Sequence, residues 1–316
     1  MRFSALFSNA AAPLGKGVFV MQASGTLLHE SATWEASPLD LEAYLARLDY
    51  RGSLTPSLET LRALQRAHLE AIPFENLEIA IGGEIRLDLA SLQDKLVRRR
   101  RGGYCHEQNL LFGTVLDRLG FRVVPRGARM LVGEEARRIT AMNHTMLAVT
   151  VEGRDWLVDV GVGNVGPREP VPVGENVEVR HGRWEYRLER SPVGLWLLRH
   201  RRHDGWFNIY QFGDASYYRA DAETHNYHVS HHPDSPFVRR IVAQHNGAEE
   251  RLGLADLELT VERPGAEPER RELRAAELPG VLRERFGLAL DPEQEARLLS
   301  RAESLAASVA GERLGT

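Results

Sequence analysis

The sequence predicts an α+β protein with helices first, an antiparallel sheet or barrel in the middle, and mixed elements last. Three observations carry this. Apolar residues recur at helical spacing from Leu39 to Gly120. From Phe121 the chain breaks into short stretches rich in apolar and β-branched residues, bounded by turn signals. Beyond about Ser235, strand-like and helix-like stretches alternate. A length of 316 residues suits two or three domains at roughly 100–200 residues each.

Residues 1–38 stand apart. Arg2 and Lys16 are the only acidic or basic residues before Glu30, and Ala, Ser and Gly dominate. Ser, Asn, Pro and Gly interrupt the apolar core that a secretory signal needs. The segment is expected to be a flexible extension outside the fold, with Met21 as an alternative start.

Ser37-Pro38-Leu39-Asp40 opens the first helix, which carries Leu39, Tyr44, Leu45 and Leu48 and closes at Arg51-Gly52. Thr55-Pro56-Ser57 opens a second with Leu58, Leu61, Leu64 and Leu69, which Pro73 ends. Asp88–Arg101 reads as a third, with Leu89, Leu92 and Leu96 on one face. A fourth follows Cys105 through Leu110, Leu111, Val115, Leu116 and Leu119 to Gly120. Strands are expected at Arg122–Arg129, Thr145–Val151 and Trp156–Val160, with a hairpin turn at Glu152-Gly153-Arg154-Asp155, then near Glu185–Arg190, Leu195–His200 and Trp206–Phe212. Glu258–Val261 reads as a strand, Glu262–Pro268 as a loop and Arg274–Phe286 as a helix. Asp291-Pro292 then starts a last helix, with Asp at the N-cap and Pro at N1. The expected division is 1–38, 39–120, 121–235 and 236–316.

Composition excludes several classes. No run approaches the 18 or so apolar residues of a membrane span. A net charge of −4 argues against a general nucleic-acid binder. The single cysteine excludes an intrachain disulfide and the Cys-rich zinc sites, and fits a reducing, cytoplasmic setting.

That cysteine, Cys105, follows Gly102-Gly103 and precedes an amphipathic helix. A helix N-terminus lowers a thiol pKa, and its free N–H groups can stabilise an oxyanion. Position alone leaves open a small buried residue at a helix contact. A nucleophilic Cys needs a base, and the base needs an orienting group. His106 is adjacent, but neighbours i and i+1 on a helix point in different directions. His144, opening a strand, is better placed. Asp159 interrupts the apolar run Trp156-Leu157-Val158-Asp159-Val160, where a carboxylate is costly unless paired. A turn or cap ahead of Gly161 is the other reading. A hairpin centred on Gly153-Arg154 sets Asp159 opposite Ala148, with His144 about 13 Å further along the same face. Contact then requires a bulge or a fold-back before the ladder.

These residues resemble the arylamine N-acetyltransferase family. Arg101-Gly102-Gly103-Tyr104-Cys105-His106-Glu107-Gln108-Asn109 is similar to its nucleophile motif, and Ile72-Pro73-Phe74-Glu75-Asn76-Leu77 to a motif upstream. Asn143-His144 and Trp156-Leu157-Val158-Asp159-Val160-Gly161 resemble its His and Asp motifs in the same order. Asn226-Tyr227 through His232-Pro233-Asp234-Ser235-Pro236-Phe237 resembles its segment joining barrel and C-terminal domain. The likeness runs from about Leu39 to Phe286-Gly287.

The resemblance implies a helical bundle, a β-barrel and an α/β lid around a Cys-His-Asp triad. Cys105 would be the acylated nucleophile, His144 the base and Asp159 the orienter. Acetyl groups would pass by a ping-pong route from acetyl-coenzyme A, a co-substrate rather than a resident cofactor, to an arylamine, hydrazine or arylhydroxylamine. An amide synthase releasing polyketide chains, or a thiol hydrolase, are the alternatives. Arg101 and Glu75 match a pair that would fix the nucleophile turn; the other reading of each is a solvated charge. Phe74 matches an acceptor-pocket aromatic, with core packing as the other reading. Val162 stands between Gly161 and Gly163 where many members carry an aromatic, which would reshape that pocket. No nucleic acid, membrane or metal is expected. His225, His228, His231 and His232 cluster in a stretch without helical pattern, read as a solvated linker, or as contacts near the coenzyme, rather than a metal site. Arg98-Arg99-Arg100-Arg101 reads as a solvated helix end suited to the dipole, with attraction of coenzyme phosphates as the other reading.

Overall fold

The computed structural model describes residues 38–314. The expected extension lies outside them except for Pro38, whose carbonyl accepts from Gln93 Nε2 at 3.1 Å. Helix α1 (Leu41–Arg47) starts where Asp40 accepts from Ala43 N, and α2 (Leu58–Ala71) where Ser57 accepts from Thr60 N. A two-residue strand, β1 (Phe74–Glu75), and a single helical turn, α3 (Leu77–Ala80), follow. The third expected helix is α4 (Leu89–Leu92) running on as a π-helix over Gln93–Arg98. It ends before Arg101 because Arg100 turns left-handed, at φ 52°. Helix α5 (Cys105–Arg118) begins at the cysteine.

Strands β2 (Arg122–Met130), β3 (His144–Val151), β4 (Arg154–Val158), β5 (Val171–Pro172), β6 (Val177–His181), β7 (Trp184–Arg190), β8 (Trp196–Arg202) and β9 (Gly205–Phe212) form one antiparallel sheet. Its order is β5-β4-β3-β2-β9-β8-β7-β6. Inward residues from β2 through β5 and β7 through β9, among them Ala128, Met146, Leu157, Val171, Tyr186, Leu198 and Ile209, share one core. The sheet therefore curls around its own side chains as a barrel.

Helices α6 (Arg219–His231) and α7 (Pro236–Arg239) lead into β10 (Val242–Asn246), β11 (Arg251–Ala255), β12 (Glu258–Glu262) and β13 (Glu269–Glu272), then α8 (Leu278–Phe286) and α9 (Pro292–Leu314). The second sheet has the order β1-β10-β11-β12-β13. Strand β1, from the helical part of the chain, pairs with β10, Phe74 opposite Gln244. Leu77, Ala243, Leu254, Leu278, Leu282 and Phe286 form a core between this sheet and α8. Asp291 caps α9, accepting from Gln294 N at 2.9 Å. No helix among the described residues is long and apolar enough to cross a membrane.

Two expectations change. The histidine-rich stretch is helix α6, not a linker. Its buried face is Ala222, Asn226, Val229 and Ser230, too polar to show as hydrophobic periodicity. The hairpin register also differs. Glu152 (φ 54°) and Gly153 (φ 73°) form the turn, so Val151 pairs with Arg154 and Leu147 with Val158. Continuing that register sets Asp159 opposite Met146, closer to His144 than expected. Strand β4 stops at Val158, which frees Asp159 from the ladder.

Candidate active site

The turn before Cys105 is built by close backbone packing. Gly103 N donates to Pro73 O at 3.3 Å and Glu75 N to Gly103 O at 3.1 Å. A Cβ on Gly102 would strike the Pro73 carbonyl and lie 2.8 Å from Glu75 Cγ. Arg101 reaches across to Glu75, Nη2 to Oε1 at 2.9 Å, with both side chains buried. Neither is the solvated charge of the alternative reading, whereas Arg98, Arg99 and Arg100 are exposed. Burial alone would raise the Glu75 carboxyl, but the charges of Arg101 and Lys95 and the Leu77 N–H outweigh it and lower it. Lys95 Nζ pairs with Glu107 Oε1 at 2.7 Å, and the other Glu107 oxygen accepts from Tyr104 N at 3.1 Å, capping α5.

Cys105 thus stands at the first position of α5, 3% exposed. Its Sγ lies 3.9 Å from Asn143 O. His144 opens β3, and its Nε2 meets Asp159 Oδ2 at 2.6 Å with both side chains buried. The fold-back the sequence required is the loop after β4, where Gly161 N donates to Asp159 Oδ1 at 2.9 Å. The His144 ring is also in hydrogen-bond reach of the Cys105 thiol. With Nε2 engaged by Asp159, Nδ1 is the nitrogen left for sulfur.

The electrostatics follow. Burial raises the Cys105 thiol, but the imidazoles of His106 and His144 outweigh it and lower the thiol to about 5. Burial lowers His144, but the Asp159 carboxylate and the Cys105 sulfur outweigh it and raise the ring to about 10. Between those values the coupled pair rests as thiolate and imidazolium.

Of the other expected residues, Phe74 and Gly163 come together. A Cβ on Gly163 would lie 3.7 Å from Phe74 Cγ and collide with Gln244. Phe74 also packs on Phe237, ring centroids 5.8 Å apart. Val162 is turned into the barrel core. His225 stacks on Tyr217 at 5.6 Å between centroids, and His228 lies against His232 at 4.6 Å. Among the described residues no group of three or more His, Cys, Asp or Glu is placed to hold a metal.

Sequence reasoning passed over several groups. Asn109 Nδ2 donates to Asp159 Oδ1 at 2.9 Å and to Thr145 O at 2.7 Å. Gln108 Nε2 donates to Gly103 O at 2.6 Å, bracing the turn from within α5. A Cβ on Gly161 would sit 2.6 Å from Cys105 Cα, so only glycine lets that loop pass the cysteine. Asn109 and Gly161 both lie inside the quoted motifs, which was their only signal. His106 turns to β3 instead, its Nδ1 2.7 Å from Thr145 Oγ1.

The profile of a family described as N-acetyltransferase matches residues 57–295. The arylamine N-acetyltransferase of Mycobacterium bovis is 36% identical over 279 residues, covering 86% of this chain and 98% of that protein. The crystal structure of the Nocardia farcinica arylamine N-acetyltransferase matches with a TM-score of 0.81 at 41% identity, covering 86% of this chain and 98% of that one. That of Mycobacterium marinum, in complex with coenzyme A, matches with a TM-score of 0.79 at 35% identity, covering 84% and 99%. A barrel and a second sheet meeting at a helix-borne cysteine, with these matches, define an acetyltransferase. The chain belongs to the arylamine N-acetyltransferase family.

Proposed function

We propose that this chain moves an acetyl group from acetyl-coenzyme A to an arylamine, hydrazine or arylhydroxylamine through a thioester on Cys105. The observation that carries this is His144 held through Nε2 by the buried Asp159 carboxylate at 2.6 Å, with the thiol of Cys105, lowered to about 5, at the start of α5. The Cys105 thiolate attacks the thioester carbonyl, forming one S–C bond as the coenzyme S–C bond breaks. The departing coenzyme thiolate takes the proton held by His144. The amine then attacks the acyl-enzyme, His144 takes the amine proton, and Cys105 leaves as thiolate. Asp159 orients the ring throughout. The first N–H groups of α5 have no acceptor within the helix and suit the oxyanion.

Arg101 and Glu75 hold the nucleophile turn. Phe74 and Gly163 border the acceptor, with Val162 behind them. The segments 39–120, 121–235 and 236–316 supply the nucleophile, the His–Asp pair and the covering sheet. The coenzyme A complex of the Mycobacterium marinum relative supports the donor. A reducing, cytoplasmic setting would keep the lone thiol reactive.

Intact mass after incubation with several acyl-coenzyme A species tests the reading. One acetyl adduct is expected on the native protein and none on Cys105→Ser. Full activity in Cys105→Ser overturns it. Coenzyme A release that amines do not accelerate would instead indicate a thiol hydrolase. Failure with acetyl-coenzyme A and simple acceptors such as an aminosalicylate or hydralazine would indicate an amide synthase.

A further inference from the structure

Gly163–Val165 form a short 3-10 turn between β4 and β5. Among the described residues, every hydrogen bond that Gly163 and Asn164 make outside Gly163–Gly166 runs to the second sheet. Asn164 N donates to Gln244 Oε1 on β10 at 3.1 Å, and Asn164 Nδ2 donates to Leu252 O on β11 at 3.2 Å. Asn246 Nδ2, also on β10, donates to Gly166 O at 2.9 Å and reaches Gly163 O at 3.4 Å. The barrel adds the Tyr186 hydroxyl, which donates to Gly166 O at 2.6 Å, only past the end of the turn.

Strand pairing puts Gln244 at the centre of this contact. Phe74 on β1 lies opposite Gln244 on β10, and Gln244 lies opposite Gly253 on β11. Directly opposed residues project to the same face of a sheet, so the three form one row. Gly253 offers no side chain, and a Cβ there would come 3.1 Å from Asn164 Nδ2. At Gly163 a Cβ would lie 3.7 Å from Phe74 Cγ and would strike Gln244 Oε1. Gly163 also has φ 79°, where glycine is favoured. The Gln244 side chain therefore abuts the turn and neighbours Phe74 across the ladder. The donor at Asn164 N fixes which end of the carboxamide is oxygen.

We propose that Gln244 is a positioning residue that sets acceptor selectivity, by fixing the Gly163–Val165 turn beside Phe74. This rests on the reading of Phe74 and Gly163 as borders of the acceptor. The distance between those borders is then held from the second sheet, by one hydrogen bond to a main-chain N–H. Asn246 acts on the same turn as a second tie. With the Gln244 oxygen in place the turn stays close to Phe74, and acceptors of small cross-section are favoured. Without it, Asn164 N loses its acceptor and the turn shifts to meet water. The space beside Phe74 then adapts to bulkier arylamines.

Competition between two acceptors for one acyl-enzyme tests this. The native protein, Gln244→Met, Gln244→Glu and Asn246→Ala are supplied with acetyl-coenzyme A and equal 4-methoxyaniline and 4-phenoxyaniline. The ratio of the two acetylated products is measured by chromatography. Both acceptors draw on the same acyl-enzyme, so a general loss of stability or of acylation leaves the ratio alone. The share of the phenoxy product is expected to rise about three- to tenfold in Gln244→Met, as the loss of one hydrogen bond allows. A smaller rise is expected in Asn246→Ala. Gln244→Glu keeps an oxygen for Asn164 N and should hold the native ratio. A native ratio in both Gln244→Met and Asn246→Ala overturns the proposal, even if their melting temperatures fall. A shift in Gln244→Glu as large as in Gln244→Met overturns the hydrogen bond as its cause. Should Gln244→Met fail to fold, Asn246→Ala decides. Absence of an acetyl adduct on the native protein by intact mass would overturn the acyl-enzyme reading and this inference with it. An adduct with unchanged ratios would overturn this inference alone.

Discussion

Asn109 Nδ2 donates to Asp159 Oδ1 at 2.9 Å, tying the helix that begins at Cys105 to the carboxylate that holds His144. The same side chain accepts from Val160 N at 3.1 Å. One residue, a single helical turn beyond the cysteine, thus sets two parts of the site relative to each other. Asn109→Ala leaves buried partners unmet, a loss of about 1–3 kcal/mol. If that falls on the orientation of His144, kcat drops by about tenfold to a hundredfold with KM little changed. Steady-state kinetics with acetyl-coenzyme A and an arylamine check this.

Gly161 has no room for a side chain, with Cys105 Cα and Asn109 Nδ2 only 2.6 and 2.7 Å from a notional Cβ. Gly161→Ala should push the loop off α5, lower kcat and cost about 1–3 kcal/mol of stability. Denaturant unfolding beside kinetics would show both losses, and an unaltered kcat would refute the close approach as a requirement.

Arg101 and Glu75 form a buried pair. Removing one partner strands a charge, so Arg101→Met should cost about 3–5 kcal/mol, and adding Glu75→Gln should restore part of it. The double variant more stable than Arg101→Met is the diagnostic result in thermal melts.

With the thiol lowered to about 5 and His144 raised to about 10, the thiolate–imidazolium pair persists between them. Acylation of the enzyme should be nearly flat with pH across that window. It should fall below about 5 as the thiolate takes a proton, and change again above about 10 as His144 loses its own. Rapid-mixing acylation rates, which isolate the first half-reaction, measure this directly. A midpoint near the ordinary thiol value would show that the ion pair does not form.

His68 is lowered to about 3 by burial, which outweighs its Gln108 hydrogen bond, and His181 is lowered to about 4, again chiefly by burial. A histidine lowered in the folded state is protonated first in the unfolded chain. The stability it contributes is complete above its ordinary value and is lost as pH falls toward the folded value. Melting temperature should therefore decline as pH falls from neutrality toward 4. His68→Gln, which removes one such group, should flatten the slope while lowering stability at neutral pH.

The helical part was legible because Leu58, Leu61, Leu64 and Leu69 mark a buried face by spacing alone and Ser57 marks where it starts. Most barrel strands were legible from their apolar runs and turn residues. Strand β6 was passed over although Val177-Glu178-Val179 alternates. Helix α6 was hidden because Ala, Asn and Ser on its buried face bury little apolar surface. Strand β1 was hidden because two residues carry no period. The chemistry of Cys105, His144 and Asp159 could be nominated because nucleophile, base and carboxylate are residue types that local motifs display.

By itself the sequence determined the fold class, the chain order of its elements and the identities of the candidate reactive residues, since these depend on local periodicity and on chemical type. Only the tertiary structure decided that His144 and Asp159 meet. A one-position difference in the hairpin turn shifts the pairing, and β4 ends one residue before the carboxylate. Only it could bring Asn109 to Asp159 and Gly161 against the backbone of Cys105, because contacts between residues far apart in sequence are set by how the barrel packs on α5, and no local pattern records that.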